Sequence, residues 1–236
     1  MIPPSKRQRK EPADSIPVTR WCRRNVRWWK RYFEAVNVPL DMLLPKATFR
    51  QPVQGDASGI GYGALIVVGT TCYYFFGVWT EVELRLLAAH ILNINITECL
   101  TQAWMIHLFA EFISGHTVIF ECDNLTTVTW LHEQRARTEV SGLLLESMDL
   151  SMAIDHIDGQ WTHIRGVDNR LSDELSRYGA TDKFFRDTRS LCPSVLQFQD
   201  ISDKLSPARR DTTWLSSVAS KAQASAATPK QPTARM

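Results

Sequence analysis

Between Val53 and Trp79 the chain runs through three strand-like stretches with tight turns between them, and from Thr80 onward helix-like and strand-like stretches alternate. That order constrains the fold more than any other feature. Consecutive strands joined by short turns form an antiparallel meander, whereas strands that return after a helix add in parallel. "VQGDASGIGYGALIVV" gives a strand ending near Asp56, a Gly-rich turn and a second strand. "TCYYFFGVW" gives a third, in Thr, Tyr, Phe and Val, which suit a pleated surface. Residues 80–90 and 97–113 read as helices, the second with Thr97 as N-cap and Leu100, Ala103, Trp104, His107, Leu108 and Phe112 on one face. "HTVIFEC", 116–122, reads as a short buried strand, 124–134 and 139–154 as helices, 157–165 as a strand and 170–178 as a short helix. The expected fold class is therefore α/β: a mixed five-stranded sheet, antiparallel meander plus parallel strands, flanked by helices.

A chain of 236 residues with 44% hydrophobic content and eight Trp can bury a sizeable core. A net charge of +2 does not announce a nucleic-acid binder, so only the distribution of charge speaks to that. Lys6, Arg7, Arg9, Lys10, Arg20, Arg23, Arg24, Arg27, Lys30 and Arg31 crowd the first part of the chain against two acids, Glu11 and Asp14. Residues 1–18 read as a disordered basic tail, in which "SKRQRK" is either a nuclear address or a solvated basic run. Residues 19–51 read as a basic, Trp-rich helix and a Pro-punctuated connector. That helix either docks an apolar stripe on a core or lies along a phosphate backbone. Residues 181–206 form a C-terminal extension, and 207–236 read as a second disordered tail. Five scattered Cys without CxxC or zinc spacing imply reduced thiols. There is no signal-peptide pattern and no run of about 18 apolar residues. The expectation is an intracellular protein, in nucleus or cytoplasm, neither secreted nor membrane-bound.

Four acids stand where a strand ends or a helix begins: Asp56, Glu98, Asp123 and Asp173. In an α/β sheet such positions meet at one edge. Four carboxylates gathered there would repel unless divalent cations held them, and hard oxygen donors suit Mg²⁺ or Mn²⁺. Such a site serves in-line phosphoryl displacement. Each acid also has an ordinary explanation. Glu98 and Asp173 could cap helices, Asp56 could belong to a turn, and Asp123-Asn124 could be a strand-to-helix cap. Glu174, beside Asp173, reads as a surface residue.

The four blocks "GDASGIGYGALI", "NINITECLTQAW", "VIFECDNLTTVTWL" and "THIRGVDNRLSDELSR" resemble, in that order, the motif blocks of type 1 ribonuclease H domains. They look most like those fused behind reverse transcriptases in retroelements, of the tyrosine-recombinase (DIRS-like) or LTR type. The last block is the most specific, matching at Gly166, Asn169, Asp173, Leu175, Ser176 and Arg177. Gly55 and Ser172 depart from the family pattern, which has a strand former and Ala there. The resemblance implies a ribonuclease H-like domain over residues 52–180 that hydrolyses the RNA strand of RNA–DNA hybrids with two Mg²⁺ ions, or Mn²⁺ in their place. It implies Asp56, Glu98, Asp123 and Asp173 as metal ligands and catalytic residues. His163, ten residues before Asp173, matches the family's auxiliary His; it reads either as a proton shuttle or as a structural strand-end residue. Ser58 and Asn124 would contact the nucleic-acid backbone or support the ligands. Arg135, Arg137 and Arg165 are candidates for phosphate contact, although surface Arg is ordinarily just solvated. No polymerase motif precedes the domain, so a reverse transcriptase would be a partner outside this chain, which is then a fragment of an element or a retained remnant. The alternative is a catalytically inactive ribonuclease H-like module that binds nucleic acid or a polymerase partner.

Overall fold

A computed structural model describes residues 26–27, 29–30, 46–135 and 138–205. The chain divides into two compact units, Met1–Asn37 and Val38–Met236. In the first, residues 26–27 and 29–30 are helical. The expected stripe of Trp21, Trp28 and Phe33, both tails and Arg137 lie outside the described residues.

The described strands of the second unit form one sheet. Its strands are β1 (Ala47–Phe49), β2 (Val53–Ala57), β3 (Gly61–Val68), β4 (Thr71–Val78), β5 (His116–Cys122), β6 (Asp158–His163) and β7 (Gln197–Asp200). β2, β3 and β4 form the antiparallel meander, turned at Gly69, whose φ of 59° a hairpin position of this kind demands. β5 runs parallel to β2, and β6 runs parallel to β5. This is the mixed α/β sheet expected from the order of elements, but with seven strands rather than five. The short β1 pairs with the start of β5, ahead of β2 on the same side. β7 adds in parallel to the edge strand β4. The C-terminal extension carries it, and its four residues show too little alternation to read as a strand.

Period-two alternation divides the core between the two faces of the sheet. On β3, Ala64 and Ile66 face one cluster, while Leu65 and Val67 face the other. On β4, Phe75 goes to the first, and Cys72 and Tyr74 to the second. The larger cluster lies under helices α2 (Ile94–Ile113) and α4 (Glu139–Ile154), which pack on each other. The smaller lies under α5 (Arg170–Tyr178) and α6 (Asp182–Leu191), with Leu171, Leu175 and Phe184 at its centre. Each fully buried side chain of this size, such as Phe75, Phe109 or Phe120, contributes about 1.5–3 kcal/mol. Two shorter helices, α1 (Glu81–Ala88) and α3 (Leu125–Glu133), are the remaining α-helices of this unit among the described residues. A capping box between Thr80 and Glu83 opens α1.

α2 starts earlier than its sequence pattern implied. Its N-cap is Asn93, whose side chain accepts from the Ile96 N–H, so Thr97 is not the cap. Thr97 lies inside the helix with its hydroxyl donating back to the Ile94 carbonyl. An Asn cap outcompetes a Thr four residues on, because the intervening Ile96, 1% exposed, extends the buried face one turn ahead of Leu100. Glu98 therefore sits in the second turn and does not cap the helix.

Glycines set how closely the layers approach. A Cβ on Gly63 would lie 2.3 Å from the Leu175 Cβ and 2.7 Å from the Ser176 nitrogen. A Cβ on Gly61 would meet the Ser176 carbonyl oxygen at 3.0 Å. Gly63 is thus what lets α5 lie against the strand backbone, whereas at Gly61 the nearest obstacle is the Gly77 carbonyl oxygen of β4, 2.3 Å from the added Cβ. Gly55 has a comparable cause: the space its side chain would fill is taken by Met105 and Gln102 of α2.

Candidate metal centre

The parallel pairing of β2 with β5 puts Gln54 opposite Glu121. Two residues further along each strand come Asp56 and Asp123, so the register alone sets these two acids side by side at one edge of the sheet. α2 crosses β2 and brings Glu98 to the same edge, where it accepts the backbone N–H of Ala57. Carboxylate oxygens of Asp56, Glu98 and Asp123 all lie within 4.8 Å of one another. Asp56 and Glu98 are 4% and 3% exposed, so water does little to separate their charges.

The three acids open onto a recess of about 310 Å³ that Ser58, Gly59, Ile94, Asn124, Asp173 and Arg177 also line. Asp173 stands at its rim, with its Oδ1 accepting the Arg177 Nε–H at 2.7 Å; both side chains are half-exposed. The described structure thus brings the four predicted acids to one place, three mutually clustered and the fourth paired with an arginine.

Burial pushes the Asp56 carboxyl up to about 7, against a lowering hydrogen bond from Ser176, and the charges of Asp123 and Asp173 push the same way as burial. Burial, followed by the charges of Asp56 and Asp123, raises Glu98 well above the usual carboxylate range. Asp123 is raised too, by burial against a hydrogen bond from Asn169. A cation between them would relieve both causes, by replacing lost hydration and by cancelling like charge. The donors are all carboxylate oxygens, a hard set that fits Mg²⁺ or Mn²⁺ and not a thiophilic metal. The site fits a small divalent cation on these grounds.

Two residues that the sequence reading left without a role hold Asp56 in place. Ser176 Oγ donates to Asp56 Oδ2 at 2.5 Å, and Asn169 Nδ2 donates to Asp56 Oδ1 at 3.3 Å. Asn169 is fully buried and its amide oxygen accepts from Ser172 Oγ at 2.5 Å, so the departure at Ser172 orients the amide that faces Asp56 and Asp123. Both residues belong to the matched last block, but only the fold reveals that α5 passes over the end of β2.

Of the other candidates, Ser58 and Asn124 line the recess, His163 lies beside Asp123, and Arg135 and Arg165 are not among its lining residues. His163 ends β6 beside Asp123, exposed, with Nε2 3.1 Å from the Asp123 carbonyl oxygen. Ser58 is buried; its hydroxyl donates to the Ser176 carbonyl at 2.9 Å and accepts the Gly61 N–H, bracing the β2–β3 turn against α5. Asn124 caps α3 by accepting the Thr127 N–H and donates to Asn95 Oδ1. Next to it lies a second recess, of mixed character, lined by Asn93, Asn95, Leu125, Thr126, Thr129, Trp130 and Thr138. Arg165 is exposed and paired with Asp168 at 2.8 Å, on the loop whose Gly166 abuts Asp123. Arg135 is exposed just beyond α3. Glu174 is not a surface residue: it is 8% exposed and accepts from Thr181 Oγ1 and Lys183 Nζ, tying α5 to α6. Its neighbour Asp173 faces the recess because the two are successive residues of one helix, about 100° apart.

No helix among the described residues is long and apolar enough to cross a membrane. No family model matches the chain, and no curated protein matches it in sequence. Among solved structures it is similar to ribonuclease H1 from the halophilic archaeon Halobacterium salinarum NRC-1, at 13% identity and a TM-score of 0.39, over 55% of this chain and 96% of that one.

Proposed function

We propose that this chain is a divalent-cation-dependent endonuclease that hydrolyses the RNA strand of RNA–DNA hybrids and derives from a retroelement. The observation that carries the reading is the cluster of Asp56, Glu98 and Asp123 oxygens within 4.8 Å, with Asp173 on the rim of the same recess. The order of the four motif blocks supports the choice of substrate.

Asp56, Glu98 and Asp123 would hold Mg²⁺ or Mn²⁺, and Asp173 would complete a second position. Bound there, such cations supply a more acidic water and charge stabilisation for in-line displacement at a phosphate. The chain's own residues do the rest. Ser176 and Asn169 fix both oxygens of Asp56, so that carboxylate needs no reorientation on loading. His163, exposed beside Asp123, would take or hand on a proton as product leaves. Asn124, Ser58, Arg135, Arg137 and Arg165 contact or support the nucleic-acid backbone, with Ser58 acting through the turn it braces. Discrimination of RNA from DNA rests on the 2′-OH of the cut strand. A polymerase partner, supplied by another chain, belongs to the same reading.

Isothermal titration of Mg²⁺, run beside hybrid cleavage on the same preparations, tests it. Wild type gives binding heat and cleaves; Asp56→Asn loses the heat, and Asp123→Asn loses cleavage while its circular dichroism spectrum stays that of wild type. Wild type that gives no heat, or the same heat after Asp56→Asn, indicates the inactive binding module instead.

A further inference from the structure

Arg177 is the cation of the recess, and the reading above gives it no task. It lies one helical turn after Asp173 on α5, lines the same recess as the four acids, and binds the Asp173 carboxylate through Nε at 2.7 Å. Its charge is felt at Asp56 as well, where it opposes the effect of the neighbouring acids. A guanidinium has five donors in a planar fork, and phosphate is among the groups that fork matches. The same side chain is thus within reach of two alternative anions: the carboxylate of Asp173, and a phosphate seated over the acids.

We propose that Arg177 competes with a cation for Asp173 and that an incoming nucleic-acid phosphate relieves the competition. With the recess empty of phosphate, Asp173 is neutralised by Arg177, and only the Asp56–Glu98–Asp123 cluster is a strong cation site. When a phosphate engages the guanidinium, Asp173 is released as a ligand and the second position strengthens. Second-cation binding and substrate binding then favour each other by the same factor, as linkage requires. The inference rests on the metal-dependent reading of the acid cluster. It adds that the two cation positions are unequal in the free protein and that Arg177 makes them so. Both partners are half-exposed, so the competition is modest: removing it should tighten the second site about two- to fivefold.

Counting bound Mn²⁺ on the full chain by electron paramagnetic resonance tests this without reference to turnover. Wild type shows one tight and one weak site. Arg177→Met tightens only the weak site, by the factor above; Arg177→Lys, which keeps the charge, stays close to wild type. The Arg177→Met gain disappears when Asp173→Asn is added. Hybrid affinity measured in EDTA across a salt series supplies a second readout. Loss of one phosphate contact in Arg177→Met lowers the slope of log affinity against log salt by about one. Equal Mn²⁺ binding in wild type and Arg177→Met, or a gain that survives Asp173→Asn, overturns the competition; an unchanged salt slope overturns the phosphate contact. Wild type that binds no Mn²⁺ removes the metal-dependent reading itself, while one tight site with no effect of Arg177 removes only the inference.

Discussion

Gly63→Ala should cost both stability and metal binding, by one mechanism. The added Cβ would lie 2.3 Å from the Leu175 Cβ and 2.7 Å from the backbone nitrogen of Ser176. Carbon atoms pack comfortably at about 3.5–4.0 Å, so α5 must move away from β3 by about 1 Å or more. No flexible side-chain end is available to yield instead, because the obstacles are a Cβ and a backbone atom. Overpacking of this kind costs about 1–3 kcal/mol, which for a chain of this size lowers Tm by roughly 2–12 °C. The displacement also carries Ser176 away from Asp56, to which its hydroxyl donates at 2.5 Å, and takes Asp173 away from the recess. A misplacement of about 1 Å at a reacting site costs about a hundredfold in rate. Thermal melts of wild type and Gly63→Ala, each with and without Mn²⁺, read both effects. The variant should melt lower and lose most of the Mn²⁺-induced rise in Tm. Melting within 1 °C of wild type, with the Mn²⁺ rise intact, would refute the argument that Gly63 sets the seat of α5.

Ser176→Ala removes a buried donor from Asp56 without changing the backbone, and should weaken Mg²⁺ binding by about ten- to a hundredfold in calorimetric titration; unchanged affinity would show that the bond does not orient the ligand. Asp149 gives a pH signature away from the site. Burial raises its carboxyl from 3.8 to about 6, so the folded state holds the proton more tightly than the unfolded chain. Its contribution is therefore fully favourable below about pH 4 and is lost as pH rises through 6, a change with a ceiling of about 3 kcal/mol that partial exposure reduces. Asp149→Asn should raise Tm by several degrees at pH 7.5 and by little at pH 4.5; equal shifts at both would contradict the assignment.

Much of this molecule is legible in the chain, and the illegible part is set by how the elements pack on one another. The meander from Val53 to Val78 could be read because its strand-forming runs and the tight turns between them are purely local signals. Three of the four acids, Asp56, Asp123 and Asp173, could be read because each sits near a junction of elements, whereas Glu98 lies in the second turn of α2 and stands at a junction only when the helix start is read too late. What escaped depends on contacts distant in sequence. The roles of Ser176 and Asn169 follow from α5 lying across β2, more than a hundred residues earlier. The burial of Glu174 is the exception: its partners Thr181 and Lys183 are only seven and nine residues on, but they meet it through the turn that folds α6 back on α5, which a charged residue on a polar helix face does not announce. β7 is a strand because β4 offers it an edge, and its own four residues carry no pattern. The absence of a side chain at Gly55 becomes intelligible only when Met105 and Gln102 are seen in its space.

One side-by-side assay bears most directly on what the acid cluster does. A labelled RNA–DNA hybrid, a duplex DNA and a duplex RNA are incubated with wild type and with Asp123→Asn, in Mg²⁺ and in EDTA, and resolved on a denaturing gel. A metal-dependent hybrid nuclease cuts only the RNA strand of the hybrid, only in Mg²⁺, and only as wild type. Cleavage in EDTA, cleavage by Asp123→Asn at the wild-type rate, or no cleavage of the hybrid by a wild type that binds Mg²⁺ would contradict it.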